Sequence, residues 1–111
     1  NEVFRHIKRF RFSLLDPIYH NRQIYKWYVD QLTHRFVLLP SGEVTRQTRG
    51  NPSGQISTTM DNNMVNTFLQ AFEFYAWCKT DAIIYGDDRL SAWEYVPRDY
   101  KNRVSQMYHD I

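Results

Sequence analysis

Asp87 and Asp88 are adjacent, follow Tyr85-Gly86, and lie between two short runs with strand character, Asp81-Ala82-Ile83-Ile84-Tyr85 and Arg89-Leu90-Ser91. Two neighbouring carboxylates on a tight turn cannot both enter a core. Glycine permits the turn, and flanking strands would hold the aspartates in place. Mg²⁺ suits such a pair, because this hard ion takes oxygen ligands and commonly uses one or two carboxylates together with substrate phosphates. Alone, Gly-Asp-Asp also fits an ordinary surface turn, where these residue types cluster for conformational reasons.

A second constellation lies upstream, in Gly50-Asn51-Pro52-Ser53-Gly54-Gln55-Ile56-Ser57-Thr58-Thr59-Met60-Asp61-Asn62-Asn63. Ser53-Gly54 is followed by Thr58 and, four residues on, by Asn62. On a helix that spacing puts Thr58 and Asn62 on one face, one turn apart. The small loop residues let backbone approach a ligand closely. A loop leading into a Ser- and Thr-rich helix start is also common at N-caps. At average residue frequencies, finding both constellations in this order by chance in so short a chain is on the order of one in ten thousand. The pair is specific where each half is weak.

These residues carry a resemblance. Ser53-Gly54, Thr58 and Asn62 resemble motif B of the RNA-dependent RNA polymerases of positive-strand RNA viruses, and Tyr85-Gly86-Asp87-Asp88 resembles their motif C. Leu38-Leu39-Pro40-Ser41-Gly42-Glu43-Val44-Thr45 and the run from Thr58 to Asn66 are similar to the astrovirus branch. The resemblance implies that Asp87 is the principal metal ligand and Asp88 a supporting one, with Mg²⁺ or Mn²⁺ bound. It implies that Asn62 helps recognise the ribose 2′-hydroxyl of the incoming nucleotide, with Thr58 and Ser53 nearby, and that Gly54 gives the loop mobility. The partners implied are an RNA template and primer, ribonucleoside triphosphates and the rest of the polymerase, in the cytoplasm of a host cell.

The family places a further metal-binding aspartate in motif A, on a strand shortly before the helix assigned here to residues 1–15. No such strand is present, and Asp16, after that helix and before Pro17, has the wrong context. The basic fingers segment is not seen either. The expectation is therefore a partial palm domain over residues 1–111, inactive by itself. The expected fold is α+β, helices packed on a small antiparallel sheet that includes the Gly-Asp-Asp hairpin. A reverse-transcriptase-like palm is an alternative, disfavoured by Gly86 and Asn62. A non-enzymatic RNA-binding module is another.

The elements that must position these residues follow from periodicity. Phe4, Ile7, Phe10 and Leu14 predict a helix over residues 1–15, with Arg5, Lys8, Arg9 and Arg11 toward other faces. Asp16-Pro17 reads as an N-cap and first-turn proline opening a second helix to about Arg35. Phe36–Leu39 and Glu43–Thr48 read as strands around Pro40-Ser41-Gly42. One long helix is expected from Thr58 to Trp77, apolar on nearly every face toward its end and so surrounded by protein. Pro97 opens a last helix with Tyr100, Val104, Met107 and Tyr108 on one side.

Composition bounds the rest. A net charge of +2 announces no global basic field. The single cysteine, Cys78, excludes an internal disulfide and reads as buried filler in a reducing, soluble setting. No stretch approaches the roughly 20 apolar residues of a membrane span. Aromatic residues make up 16% of the 111 residues, more than so small an interior readily buries, which points to a piece of something larger. His6, His20, His34 and His109 lack metal-ligand spacing. The Arg5, Lys8, Arg9, Arg11 cluster reads as a solvated face or a phosphate track, Arg46 and Arg49 as residues in reach of nucleotide or template, and Trp27 and Trp77 as core.

Overall fold

The computed structural model describes residues 2–74 and 80–110, and the chain divides into two compact units, Asn1–Asp61 and Asn62–Ile111. Trp77 and Cys78 lie outside the described residues. In the first unit, α1 spans Glu2–Ser13 with Glu2 in its first turn and Arg11 in its last, the charge order a helix dipole favours. Helix α2 spans Tyr19–Thr33. Its N-cap is Ile18, without a side-chain cap, so Asp16 does not cap it. The Asp16 carbonyl instead accepts the Ile18 N–H at 2.8 Å, a short turn that delays the helix past Pro17. The two helices meet through the Phe12 and Tyr25 rings, 4.9 Å apart, and carry Ile7 and Val29, the only buried apolar residues among those described.

Strands β1 (Arg35–Leu38) and β2 (Val44–Gln47) pair antiparallel, Leu38 opposite Val44. The turn between them closes through the Leu39 N–H on the Glu43 carbonyl and the Gly42 N–H on the Leu39 carbonyl, with Gly42 at φ +88°. Trp27, read above as core, is 64% exposed, because the α1–α2 contact runs through Tyr25 and Val29 on another face of the helix.

Helix α3 spans Thr58–Phe74 and leads into the second unit. There β3 (Thr80–Tyr85) pairs antiparallel with β4 (Asp88–Trp93), and α4 spans Tyr100–Asp110. The secondary structure is α+β, four helices with two separate two-stranded sheets among the described residues where one sheet was expected. An isolated two-stranded hairpin is marginal in water, so β3–β4 depends on what packs against it. Along β4, half-buried Arg89, Ser91 and Trp93 alternate with exposed Asp88, Leu90 and Ala92. The covered face meets α3 through Arg89 and α4 through the Trp93–Tyr100 ring contact at 4.7 Å.

The face α3 buries here is polar. Asn63, Asn66, Gln70 and Glu73 recur at helical spacing; Gln70 and Glu73 are buried, while Phe68 and Phe72 stay 40% and 57% exposed. This chain leaves that end of the helix uncovered, and residues 75–77 of the expected helix lie outside the described residues. Met64, Val65 and Leu69 are half-buried, as are Asn63 and Asn66.

Candidate active site

The loop before α3 is tied at both ends. At its start, the Arg35 guanidinium donates to the Gly50 and Arg49 carbonyls at 3.2 and 3.1 Å and to Gln47 at 3.0 Å. At its end, the Thr58 hydroxyl donates to the Pro52 carbonyl at 2.6 Å, and the Asn51 amide donates to the Thr58 carbonyl at 3.2 Å. Ser53 and Gly54 project between these ties and are exposed, with Gly54 at φ +84° and open space where a Cβ would stand. A side chain at Gly54 would be strained by its backbone alone.

The deepest anchor of this loop is Asp61, which sequence reasoning did not single out. Asp61 is fully buried, with Lys8 Nζ 2.6 Å from Oδ2 and an Arg11 nitrogen 2.6 Å from Oδ1. Gln55 Nε2 and Ser57 Oγ donate to Oδ2 at 2.8 and 2.9 Å. Lys8, itself 1% exposed, also donates to Ser57 at 2.9 Å and to the Tyr28 hydroxyl at 3.3 Å. Burial alone would raise the Asp61 pKa, but hydrogen bonds from Lys8, Arg11, Gln55 and Ser57 outweigh it and hold the carboxyl below the ordinary carboxylate value. Most of the basic cluster of α1 thus faces carboxylates. Lys8 and Arg11 face Asp61, Arg5 faces Asp30 at 3.0 Å and Thr33 at 2.8 Å, and Arg9 is left exposed. A buried carboxylate demands such compensation, and α1 supplies it.

In the second unit, Tyr85 pairs with Asp88, so Gly86 and Asp87 form a two-residue turn. Gly86 has φ +63° and Asp87 does not have positive φ, the pattern of a turn with glycine at its first central position. Asn63 Oδ1 accepts the Gly86 N–H at 2.5 Å. The Asn66 amide nitrogen faces the Gly86 and Asp88 carbonyls at 3.4 and 3.3 Å, and its oxygen faces Arg89 at 3.4 Å. Arg89 reaches on to Glu73 at 2.6 Å, and the Tyr108 hydroxyl donates to the other Glu73 oxygen at 2.6 Å. Burial, then the hydrogen bond to Glu73, pushes the Tyr108 pKa up to about 12.

Asp87 and Asp88 themselves are exposed, and among the described residues no side chain hydrogen-bonds or ion-pairs with their carboxylates. Two adjacent, open, hard oxygen donors on a turn whose backbone is held from behind fit a divalent cation that completes its shell with water and phosphate. Among the described residues no three His, Cys, Asp or Glu side chains gather into a metal-holding group, so within them the pair stands without a third acidic donor. Of the residues singled out from the sequence, Ser53, Gly54 and Thr58 lie in the first unit, and Asn62, Asp87 and Asp88 in the second. Asn62 is half-buried on α3. Arg46 and Arg49 are exposed.

The family of viral RNA-dependent RNA polymerases matches the chain over residues 1–111. The chain belongs to that family. It is 52% identical to the non-structural polyprotein 1AB of Mink astrovirus 1 over 126 aligned residues, covering 99% of this chain and 9% of the relative. It is 50% identical to the same polyprotein of Ovine astrovirus 1, covering all of this chain and 9% of that relative. With the Human astrovirus-5 polyprotein it shares 55% identity, over 98% of this chain and 8% of that relative. The chain thus spans about 9% of the length of the curated relatives it matches. No solved structure matches it.

Proposed function

We propose that this chain is part of the palm of an astrovirus-type RNA-directed RNA polymerase, and that Asp87 and Asp88 hold its catalytic Mg²⁺, or Mn²⁺ in its place. The observation that carries this reading is a pair of exposed carboxylates without side-chain partners among the described residues, on a turn gripped by α3, in a member of this polymerase family. Bound divalent metal would supply charge neutralisation for nucleotidyl transfer from a ribonucleoside triphosphate to an RNA 3′-hydroxyl, by a two-metal mechanism. The chain's own contribution is positioning. Asp87 would be the main ligand and Asp88 a supporting one, and Asn62, with Thr58 and Ser53, would face the ribose and its 2′-hydroxyl. Gly54 would let the loop before α3 move.

The partners proposed are template and primer RNA, ribonucleoside triphosphates and the remainder of the polymerase, in the cytoplasm of the host cell. Exposed Ile83, Tyr85 and Leu90, each more than 70% accessible on one face of β3–β4, support a larger protein around this segment. The family match favours this reading over a reverse transcriptase or an RNA-binding module.

The test uses the complete polymerase carrying this segment. Asp87→Asn keeps the side-chain size but removes the charge that holds the ion, so Mg²⁺-dependent primer extension should fall by at least about a hundredfold, beyond what residues behind a metal ligand usually cost. Asp88→Asn should be milder. Primer extension by Asp87→Asn at near wild-type rate would make the metal assignment wrong.

A further inference from the structure

We infer that Asn63 is a positioning residue for the Asp87-Asp88 turn, with Asn66 as its helper. The inference rests on the metal reading above. In a two-residue hairpin the N–H of the first central residue lies outside the strand ladder and needs another acceptor or water. Here that group is the Gly86 N–H, and the Asn63 side-chain oxygen takes it at 2.5 Å. Of the two atoms at the end of an amide only the oxygen accepts, so the Asn63 amide orientation is fixed by the contact.

Asn66, less than one turn further along α3, faces the carbonyls on both sides of Asp87, those of Gly86 and Asp88. Its remaining oxygen faces Arg89, which is fixed by buried Glu73. The backbone of the turn is therefore held at Gly86 N, Gly86 O and Asp88 O, all from one helix, while both carboxylates are left outward. Neutral amides suit this task. A cationic group in their place would pair with the aspartates, whereas an amide fixes backbone without competing for the cation.

The same helix carries Asn62, immediately before Asn63. The residue proposed to meet the ribose and the residue that fixes the metal-bearing turn are consecutive on one rigid element. A shift of α3 would move the two together.

The complete polymerase tests this through hydrogen exchange at the Gly86 amide and Mn²⁺ binding followed by electron paramagnetic resonance, with Asn63→Ala, Asn63→Leu and Asn63→Asp. In the wild-type protein the Gly86 amide should be protected, a measurement that needs no variant; exchange at the rate of an open turn amide would overturn the proposal. Loss of one such hydrogen bond should speed exchange about tenfold in Asn63→Ala and Asn63→Leu, and weaken Mn²⁺ binding about 10- to 100-fold. Asn63→Asp keeps an acceptor and should retain the protection. Unchanged exchange and Mn²⁺ affinity in Asn63→Ala and Asn63→Leu would sink the assignment, as would equal loss of protection in Asn63→Asp. Asp87→Asn is the separate control: if it binds Mn²⁺ like wild type, the metal reading fails, while the exchange result still decides whether Asn63 holds the turn.

Discussion

Asp61 and the pair Asp87-Asp88 are carboxylates in the two family motifs of one chain, and their surroundings are opposite. Asp61 is fully buried, and both its oxygens are occupied by cations and neutral donors from α1 and the loop before α3. Asp87 and Asp88 are exposed, and the fold spends its hydrogen bonds on the backbone behind them rather than on their oxygens. The difference separates a carboxylate that builds structure from carboxylates kept available for a ligand. Full compensation stabilises a charge and at the same time removes it from chemistry.

The largest effect is expected where compensation is greatest. Asp61→Ala leaves Lys8 buried without its anion, and breaking a buried pair by removing one partner typically costs about 3–5 kcal/mol. Thermal unfolding of the complete polymerase and exchange across residues 55–61 should both report a large loss. Asp61→Leu together with Lys8→Met should recover much of it, since removing both charges avoids the orphan. Acid sharpens the contrast. The folded pKa of Asp61 lies below its unfolded value, so its contribution is fully present above about pH 4 and is lost as pH falls through the lowered folded value. Protection of residues 55–61 that is independent of acid in wild type would contradict this.

The sequence made the open carboxylates legible and hid the closed one. Gly86-Asp87-Asp88 stands out because turn chemistry and adjacent acids are visible in one dimension, and β3 and β4 flank it as alternation suggests. Asp61 is one residue in a polar helix start, and its meaning depends on Lys8 and Arg11, 53 and 50 positions away along the chain. No periodicity reports a contact of that range. Asn63 and Asn66 were within the run that resembles astroviruses, but only the turn of β3–β4 shows what their amides hold. Trp27 failed for a related reason: its helical pattern read as core, and α1 packs beside Tyr25 and Val29 instead.

Glu73 lies between the extremes and gives an intermediate prediction. Its side chain is buried, but its partners are one cation, Arg89, and one neutral phenol, Tyr108, which is 45% exposed. Tyr108→Phe removes a hydrogen bond to a charged group yet leaves the ion pair, so a loss of about 1–2 kcal/mol in thermal or urea unfolding is expected. The Tyr108 pKa is raised to about 12, so the phenol's contribution is present below the unfolded value near 10 and is lost as pH rises through 12. Ultraviolet titration comparing wild type with Tyr108→Phe should show one tyrosine ionising late, and its absence would place Tyr108 away from Glu73.

The smallest effect on stability should come from the residues that matter most to the proposed chemistry. Asp87 and Asp88 are exposed and lack side-chain partners among the described residues, so Asp87→Asn and Asp88→Asn should change stability without metal by no more than about 0.5 kcal/mol. Relief of repulsion between adjacent like charges makes a slight gain as reasonable as a slight loss. Divalent metal should break this equality. A ligand that binds only the folded protein stabilises it by RT ln(1 + [L]/Kd), so Mn²⁺ should raise the midpoint of the wild-type polymerase and leave that of Asp87→Asn nearly unmoved. Asp61 offers the opposite pattern, since its oxygens are already occupied and Asp61→Ala should lower the midpoint by a similar amount with or without Mn²⁺. Equal Mn²⁺ shifts in wild type and Asp87→Asn would remove the distinction drawn between these carboxylates, because the open pair would then be no more available to a cation than the buried one.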